Sequence, residues 1–186
     1  MGIMIFIMLL SFIIASFGYI VSRYRLCPAD KILVVYGQVG NEKSIKCIHG
    51  GGVFVFPIIQ DYKYLDLTPI QINIELKDAL CSENIMLNVS SKFTFSISTE
   101  PGIMENAAER LLGQSQQAIQ DMAKDIIEGQ LRLIIAKISF EDIRENMQET
   151  TSILSENVNH ELNKIGLQLI NINISRITDE NSKILI

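Results

Sequence analysis

The sequence of 186 residues is poor in the residue types on which most enzymes and nucleic-acid-binding proteins depend. It has no tryptophan, only two histidines and three cysteines, and 16 Lys and Arg residues against 21 Asp and Glu residues. The net charge of -5 and the lack of a Lys/Arg cluster argue against nucleic acid as a partner, because phosphate backbones attract concentrated positive charge. Cys27, Cys47 and Cys81 are widely spaced, which fits neither a disulfide framework nor a paired-cysteine metal site and favours a reducing compartment.

The few candidates for chemistry do not form a recognisable active site. His160 lies among acidic residues on the outer side of a predicted helix, and His49 lies in a loop. Cys47 and His49 offer two metal ligands, whereas a zinc site needs three or four. The triple glycine at residues 50–52 lacks the Lys-Ser/Thr of a phosphate-binding loop. We therefore predict a protein that is not an enzyme and has no metal and no cofactor.

The longest uncharged stretch is at the N-terminus, at residues 3–21. As an α-helix it would be about 28 Å long, close to the ~30 Å hydrocarbon core of a bilayer. The alternative, a cleaved signal peptide, requires basic residues before the apolar run, and none precedes it. We predict a transmembrane helix, although Ser11, Ser16 and Gly18 leave a re-entrant hairpin open. The predicted anchor residues are Ile3, Phe6, Leu9, Leu10, Phe12, Ile13, Ile14, Phe17, Ile20 and Val21.

Basic residues follow this stretch but do not precede it. Arg23 and Arg25 come directly after it, and the positive-inside rule then places the rest of the chain in the cytoplasm. Frequent Ile, Lys and Asn hint at an AT-rich bacterial genome, so the predicted location is the cell membrane, specifically a bacterial inner membrane. Cys27 lies just beyond the anchor, where S-acylation is a hypothesis based on position alone. The alternative is an ordinary buried thiol.

Strand periodicity dominates residues 32–98. Apolar and polar side chains alternate at residues 70–75 and 85–97, as expected of strands with one solvated face. Residues 53–59, VFVFPII, are apolar at successive positions, which predicts a strand covered on both faces. This region is predicted to form one antiparallel, twisted sheet, such as a small open barrel, with residues 78–84 as one of its loops.

Helical periodicity follows residue 101. The segment ENAAERLLG predicts a two-turn helix ended by Gly113, and apolar residues recur at helical spacing from Ile119 to Ile138. Ser139, with an acidic residue three positions later, predicts the start of a second long helix, and Gly166 is placed to cap its end. The next segment, LQLININ, alternates as a strand does. Strands, two helices and a further strand predict the α+β class.

Five blocks of the sequence closely resemble the flotillins of the SPFH or band 7 superfamily, which includes stomatin, prohibitin, flotillin and HflK/C. They are RYRLCPADKILVVYG, GGVFVFPIIQDYKYLDLTPIQI, ISTEPGIMENAAERLLG, AKDIIEGQLRLIIA, and KIGLQLININI followed by RITDE. The blocks occur in the family's order, after an N-terminal membrane segment, and the resemblance covers about residues 23–180. None of them is a catalytic signature.

The resemblance implies a domain division. It places a membrane anchor at residues 1–22, a β-rich SPFH1 subdomain at 23–98, an α/β SPFH2 subdomain at 99–180, and a tail at 181–186. The long coiled coil that closes flotillin assemblies is not contained in this sequence. Ring or cage formation by this chain is therefore left open by the resemblance.

The resemblance also implies a function. Flotillin-like proteins are non-catalytic scaffolds that oligomerise on the cytoplasmic face of a membrane and organise microdomains, with lipids, further copies and other membrane proteins as partners. The alternative is a regulatory subunit that binds and restrains a membrane protease. Because the β-rich half of such proteins lies against the membrane, Phe54, Phe56, Ile58 and Ile59 are expected to contact its surface. The alternative for these four side chains is a place in the core of the sheet.

Overall fold

The computed structural model describes residues 2–38 and 44–179, apart from the side chains of residues 142 and 144. The chain forms two compact units, Met1–Asp66 (unit 1) and Leu67–Ile186 (unit 2). The predicted tail at residues 181–186 lies outside the described residues.

Unit 1 combines one long helix with two small antiparallel sheets. Strands β1 and β4 form one sheet, and β2 lies between β3 and β5 in the other. Only Arg23 separates the helix from β1. The elements are α1 (Gly2–Ser22), β1 (Tyr24–Leu26), β2 (Lys31–Gly37), β3 (Ile45–Ile48), β4 (Gly52–Phe54) and β5 (Gln60–Asp66).

The core of unit 1 is small and centred on β2. Leu33, Val35, Cys27 and Val55 are buried together, with Tyr62 and two further apolar side chains packed against them. Four successive residues of β2, from Ile32 to Val35, are buried, so both faces of this strand are covered.

The prediction of a doubly covered strand at residues 53–59 is wrong. Strand β4 ends at Phe54, and a turn follows in which the N–H of Ile59 donates to the carbonyl oxygen of Phe56, 3.1 Å away. Pro57 lies inside this turn, where its missing N–H removes no ladder hydrogen bond. Within residues 53–59, only Val55 is buried.

Unit 2 is an antiparallel sheet in the order β6-β7-β8, packed against helices. Strand β7 is central and carries the fully buried Phe93 and Phe95. The α+β class is confirmed. The elements are β6 (Ile70–Leu80), β7 (Met86–Ile97), α2 (Ile103–Leu111), α3 (Gln116–Ile135), α4 (Phe140–Glu145), α5 (Met147–Asn163) and β8 (Leu167–Asp179).

The expectation of one sheet across residues 32–98 is wrong. Strands β6 and β7 pair with each other and belong to a sheet separate from those of unit 1, and β7 pairs on its other side with β8. The register of β7 with β8 runs from Ile97 opposite Leu167 to Leu87 opposite Asp179. The chain forms compact units that divide after Asp66. The subdomain boundary at residue 98, which the resemblance implies, stays a prediction. The single sheet was expected because alternation identifies a strand without identifying its neighbour.

The helices follow the predicted pattern with one interruption. The apolar stripe of α3 is buried, including Ile119, Ile127 and Leu131. The second predicted helix is divided into α4 and α5 at Asn146, whose φ of -121° and ψ of 45° leave the helical region. Gly166 follows α5 with a φ of +86°, and a Cβ at this position would collide with the backbone of Ala107.

Candidate membrane-contacting surface

Helix α1 places all the predicted anchor side chains on one continuous element. Within residues 2–38 and 44–179 it is the one helix long and apolar enough to cross a membrane. None of its residues is buried by protein. The helix runs unbroken from Gly2 to Ser22, without the interruption that a re-entrant hairpin requires.

The polar side chains of α1 are satisfied within the helix. The hydroxyls of Ser11, Ser16 and Ser22 donate to the carbonyl oxygens three or four residues earlier, at 2.9, 2.8 and 2.7 Å. A hydroxyl bonded in this way can enter an apolar medium without an unmet hydrogen bond. These serines are therefore compatible with a hydrocarbon environment.

Two arginines lie at the junction between α1 and the first sheet. The guanidinium carbon of Arg23 lies 4.6 Å from the ring centroid of Tyr19, in the last turn of α1. The guanidinium carbon of Arg25 lies 5.1 Å from the ring centroid of Tyr62 in β5. These distances are those of cation–π contacts, which fix a guanidinium in place without neutralising its charge.

An apolar surface lies beside this junction, on the sheet of β1 and β4 and on the turn after it. We call this surface the apolar face. Its side chains are large, hydrophobic and exposed, and Ile58 in the turn is 91% exposed. Val55 points to the opposite side and is buried. The apolar face consists of Tyr24, Leu26, Phe54, Phe56, Ile58 and Ile59.

Sequence and packing fix the shape of the apolar face. Tyr24 and Phe54 are directly opposite in the ladder, and their ring centroids are 5.0 Å apart at an interplanar angle of 58°. A Cβ at Gly52 would collide with the ring of Tyr24, so glycine at this position lets that ring lie across β4. The two aromatic side chains are thus held by each other and by the backbone, while one side of each stays exposed.

The four side chains predicted from the sequence to touch the membrane all lie on the apolar face. Phe54, Phe56, Ile58 and Ile59 are exposed, so the alternative that they fill the core of the sheet does not describe this structure. Tyr24 and Leu26 belong to the same surface and were not identified from the sequence. The signal for them is the alternation of basic and apolar residues directly after the anchor, RYRL.

Cys27 lies in the core of unit 1, where it is 8% exposed. Its Sγ is 3.2 Å from the carbonyl oxygen of Lys31 and 3.2 Å from that of Ile48. A thiol enclosed in this way is not presented to an acyl donor. The structure favours the alternative of an ordinary buried thiol over S-acylation.

Tyr36 and Asp61 form an exposed hydrogen-bonded pair next to the turn of the apolar face. The hydroxyl of Tyr36 donates to Asp61 Oδ2 at 2.8 Å, and the N–H of Tyr62 donates to Asp61 Oδ1 at 2.8 Å. The hydrogen bond from Tyr36, then the one from Tyr62, hold the pKa of Asp61 below its usual value. The same hydrogen bond raises the pKa of Tyr36, because it stabilises the protonated phenol.

The described residues show no constellation suited to catalysis or metal binding. No group of three or more potential metal ligands occurs among them. His49 is exposed, with its Nδ1 3.3 Å from the carbonyl oxygen of Lys31, and His160 is exposed on α5. The surface is suited to non-covalent contacts through its apolar and basic side chains.

Comparison with known proteins gives the family of the chain. The model of the SPFH domain / Band 7 family matches residues 27–184. The flotillin-like protein FloT of Bacillus subtilis is 26% identical over 178 residues, which cover 91% of this chain and 35% of FloT. Flotillin-2 of Homo sapiens is 22% identical over 153 residues, covering 82% of this chain and 36% of that protein.

A further relative is flotillin-1 of Carassius auratus, 23% identical over 158 residues that cover 84% of this chain and 37% of that protein. The chain thus spans about a third of the length of the curated relatives it matches. The match to the family model extends over both units, from Cys27 in unit 1 into β8 of unit 2. The three relatives compared above are flotillins, and the chain belongs to the SPFH domain / Band 7 family.

Proposed function

We propose that this chain is a membrane-anchored scaffold whose unit 1 rests on the bilayer surface through the apolar face. The observation that carries the proposal is the position of six exposed apolar side chains directly beside the end of an apolar helix of 21 residues. Contiguous apolar patches of this kind are rare on proteins that are surrounded by water alone, and they mark contact surfaces.

The energetics favour lipid as the covering medium. Full burial of one large apolar side chain contributes roughly 1.5–3 kcal/mol, so several half-exposed side chains together contribute several kcal/mol. Because Arg23 alone separates α1 from β1, helix insertion already holds the apolar face at the membrane. The entropic cost of bringing this surface to the bilayer is therefore largely met by the anchor.

The scaffold role rests on two supports. The family match covers both units, and the described residues present surfaces without a catalytic constellation. We propose further that the chain assembles into rings or cages and organises membrane microdomains. No observation on the described residues favours the alternative of a subunit that restrains a membrane protease.

The absence of tryptophan allows a direct test of the apolar face. Ile58→Trp introduces a single indole in the turn of unit 1, and Ile153→Trp introduces one at another exposed isoleucine, on α5 of unit 2. In vesicles, the indole of Ile58→Trp should emit at shorter wavelength and be quenched by lipids with brominated acyl chains. The indole of Ile153→Trp should be quenched by aqueous iodide instead.

Equal behaviour of the two indoles would contradict contact of the apolar face with the bilayer. Circular dichroism of both variants checks that each retains the fold. Because both substitutions replace an exposed isoleucine, any difference between them reports on the surroundings and not on the residue type.

Sidedness is a separate part of the proposal. Arg23 and Arg25 follow α1, and the positive-inside rule places units 1 and 2 in the cytoplasm, at the inner membrane if the source is bacterial. Protease added to sealed inverted vesicles should digest both units, whereas protease added to intact spheroplasts should leave them intact. The reverse pattern would overturn this orientation.

Assembly is tested by the size of the chain extracted in mild detergent. Mass photometry of the chain and of a variant lacking residues 1–22 measures the number of subunits in each particle. Large rings formed by the whole chain would support self-assembly on the membrane. Monomers alone would contradict self-assembly by this chain.

A further inference from the structure

A basic cleft opens in unit 1 between the end of α1 and the turn that carries Ile58. Its lining includes Arg23, Arg25, Pro57, Gln60 and Asp61, and it has about 260 Å³ of space free of protein atoms, part of it open to solvent. The cleft borders the apolar face, because Pro57 lies between Phe56 and Ile58 in the same turn. Arg23 and Arg25 therefore line one small space together, with the buried Val55 and with Tyr62 as further parts of its wall.

Neither arginine is neutralised within the described part of the chain. No ion pair joins Arg23 or Arg25 to a described carboxylate, and the Nε of Arg23 is buried without a hydrogen-bond partner. A buried N–H without a partner costs about 1–3 kcal/mol, so such a group is best explained by a ligand or water that it has yet to meet. Contacts with Tyr19 and Tyr62 hold the two guanidiniums in place.

The other polar groups of the cleft are already engaged. Asp61 accepts hydrogen bonds from Tyr36 and from the N–H of Tyr62, and no ion pair joins it to either arginine. The amide of Gln60 accepts from the N–H of Phe56 and donates to the carbonyl oxygen of Gln38. The cleft thus has two cationic side chains and one carboxylate, each of whose oxygens already accepts one hydrogen bond.

We propose that this cleft binds the phosphate of an anionic glycerophospholipid headgroup. The proposal rests on the proposed contact of unit 1 with the membrane, which places the cleft at the level of the headgroups. Guanidinium groups match phosphate oxygens with paired, charge-assisted hydrogen bonds.

Native mass spectrometry of the whole chain in mild detergent tests the proposal. Dioleoyl-phosphatidylglycerol and dioleoyl-phosphatidylcholine are titrated separately, and the occupancy of the first bound lipid gives the preference between them. The double variant Arg23→Gln/Arg25→Gln should lose about tenfold or more in affinity for phosphatidylglycerol, because its charge-assisted hydrogen bonds are gone. The double variant Lys46→Gln/Lys77→Gln makes the same charge change at two lysines that do not line the cleft and should bind as the parent does.

Asp61→Asn provides a test that loss of folding cannot imitate. It removes the negative charge of the cleft and keeps an oxygen that can accept from Tyr36, so affinity for phosphatidylglycerol should rise a few-fold. If Arg23→Gln/Arg25→Gln fails to fold by circular dichroism, this variant decides: a rise supports the proposal and no rise overturns it.

Three further outcomes would overturn the proposal. These are unchanged phosphatidylglycerol binding by folded Arg23→Gln/Arg25→Gln, an equal loss in Lys46→Gln/Lys77→Gln, and displacement of the bound lipid by millimolar inorganic phosphate, which would assign the cleft to free phosphate. Because all variants retain α1, they should remain in the membrane fraction. Indole quenching of Ile58→Trp without a lipid preference would therefore defeat this inference alone, leaving the proposed membrane contact intact.

Discussion

The two units place phenylalanine in opposite environments. Phe54 and Phe56 in unit 1 are 47% and 58% exposed, whereas Phe93 and Phe95 in unit 2 are completely buried. Phe93 and Phe95 alternate with less buried neighbours along β7 and face the core, whereas Phe54 and Phe56 lie on either side of the buried Val55 and face outward. Unit 2 is thus stabilised by its apolar side chains, while unit 1 keeps a set of them available for contact.

The largest difference between the two units is expected when the same substitution, Phe to Ala, is made in each. Phe93→Ala removes a fully buried ring and should lower the free energy of unfolding by about 3–5 kcal/mol, through lost burial and the cavity left behind. Phe56→Ala should change it by no more than about 0.5 kcal/mol. Chemical denaturation followed by circular dichroism in mild detergent measures both. Similar losses would show that Phe56 also stabilises the folded chain.

A second pair of variants tests the effect of close packing around a glycine in unit 2. Gly166→Ala requires a strained backbone and also forces a Cβ against the backbone of Ala107, so it should cost more than about 2 kcal/mol. Gly102→Ala has a similar φ of +91° but open space around the new Cβ, and should cost about 1 kcal/mol. The same denaturation experiment compares them. Equal costs would mean that close packing at Gly166 is unimportant.

A third prediction concerns the internal order of the apolar face. Tyr24→Ala, Phe54→Ala and the double variant form a thermodynamic cycle, and the two rings should be coupled by about 0.5–1.5 kcal/mol. This coupling would show that the exposed rings are pre-ordered before they meet a partner. A coupling near zero would indicate that each ring is held independently by the strands.

The smallest expected effect is that of pH on Asp61. Because the folded-state pKa of Asp61 is lowered, its stabilising contribution is present above its ordinary value of 3.8 and is lost as the pH falls through the folded-state pKa. The raised pKa of Tyr36 acts at the other end, with its contribution present below 10.0 and lost as the pH rises further. Both groups are exposed, so the effect on stability is small.

Titration of the Asp61 carboxyl by NMR is the more sensitive measurement. In Tyr36→Phe the pKa of Asp61 should rise towards its ordinary value, because the main hydrogen bond is gone. Tyr64→Phe is the control, since its hydroxyl donates to the carbonyl oxygen of Leu26 and not to a carboxylate. An unchanged pKa in Tyr36→Phe would show that the N–H of Tyr62 alone controls Asp61.

Local pattern predicted much of the fold. Apolar spacing identified α1, α2 and α3, and Gly166 was correctly placed after a helix. Alternation at β6 and β7 identified strands but could not show that β7 also pairs with β8, because the paired residues are 70 or more positions apart in the chain. The break at Asn146 was also missed, since a single asparagine in an otherwise regular stripe gives no strong local signal.

The candidate site was predictable in part. Sequence reasoning selected Phe54, Phe56, Ile58 and Ile59, but weighed them against a place in the core, because apolar residues on successive positions are typical of a buried strand. The structure shows that β4 ends at Phe54 and that the turn after it exposes Phe56, Ile58 and Ile59. The cleft of Arg23 and Arg25 depends on Tyr19 and Tyr62, which are far from each other in the chain, so no spacing rule could reveal it.

The junction of α1 and β1 has a mechanical consequence. Arg23 is held on both sides, because its N–H donates to the carbonyl oxygen of Ile20 at 3.1 Å and its carbonyl oxygen accepts from the N–H of Val55 at 3.1 Å. A helix of fixed length responds to a thinner bilayer by tilting. That tilt must rotate β1 and, through their ladder, β4 as well. The junction therefore couples bilayer thickness to the orientation of the first sheet, as a rigid lever would.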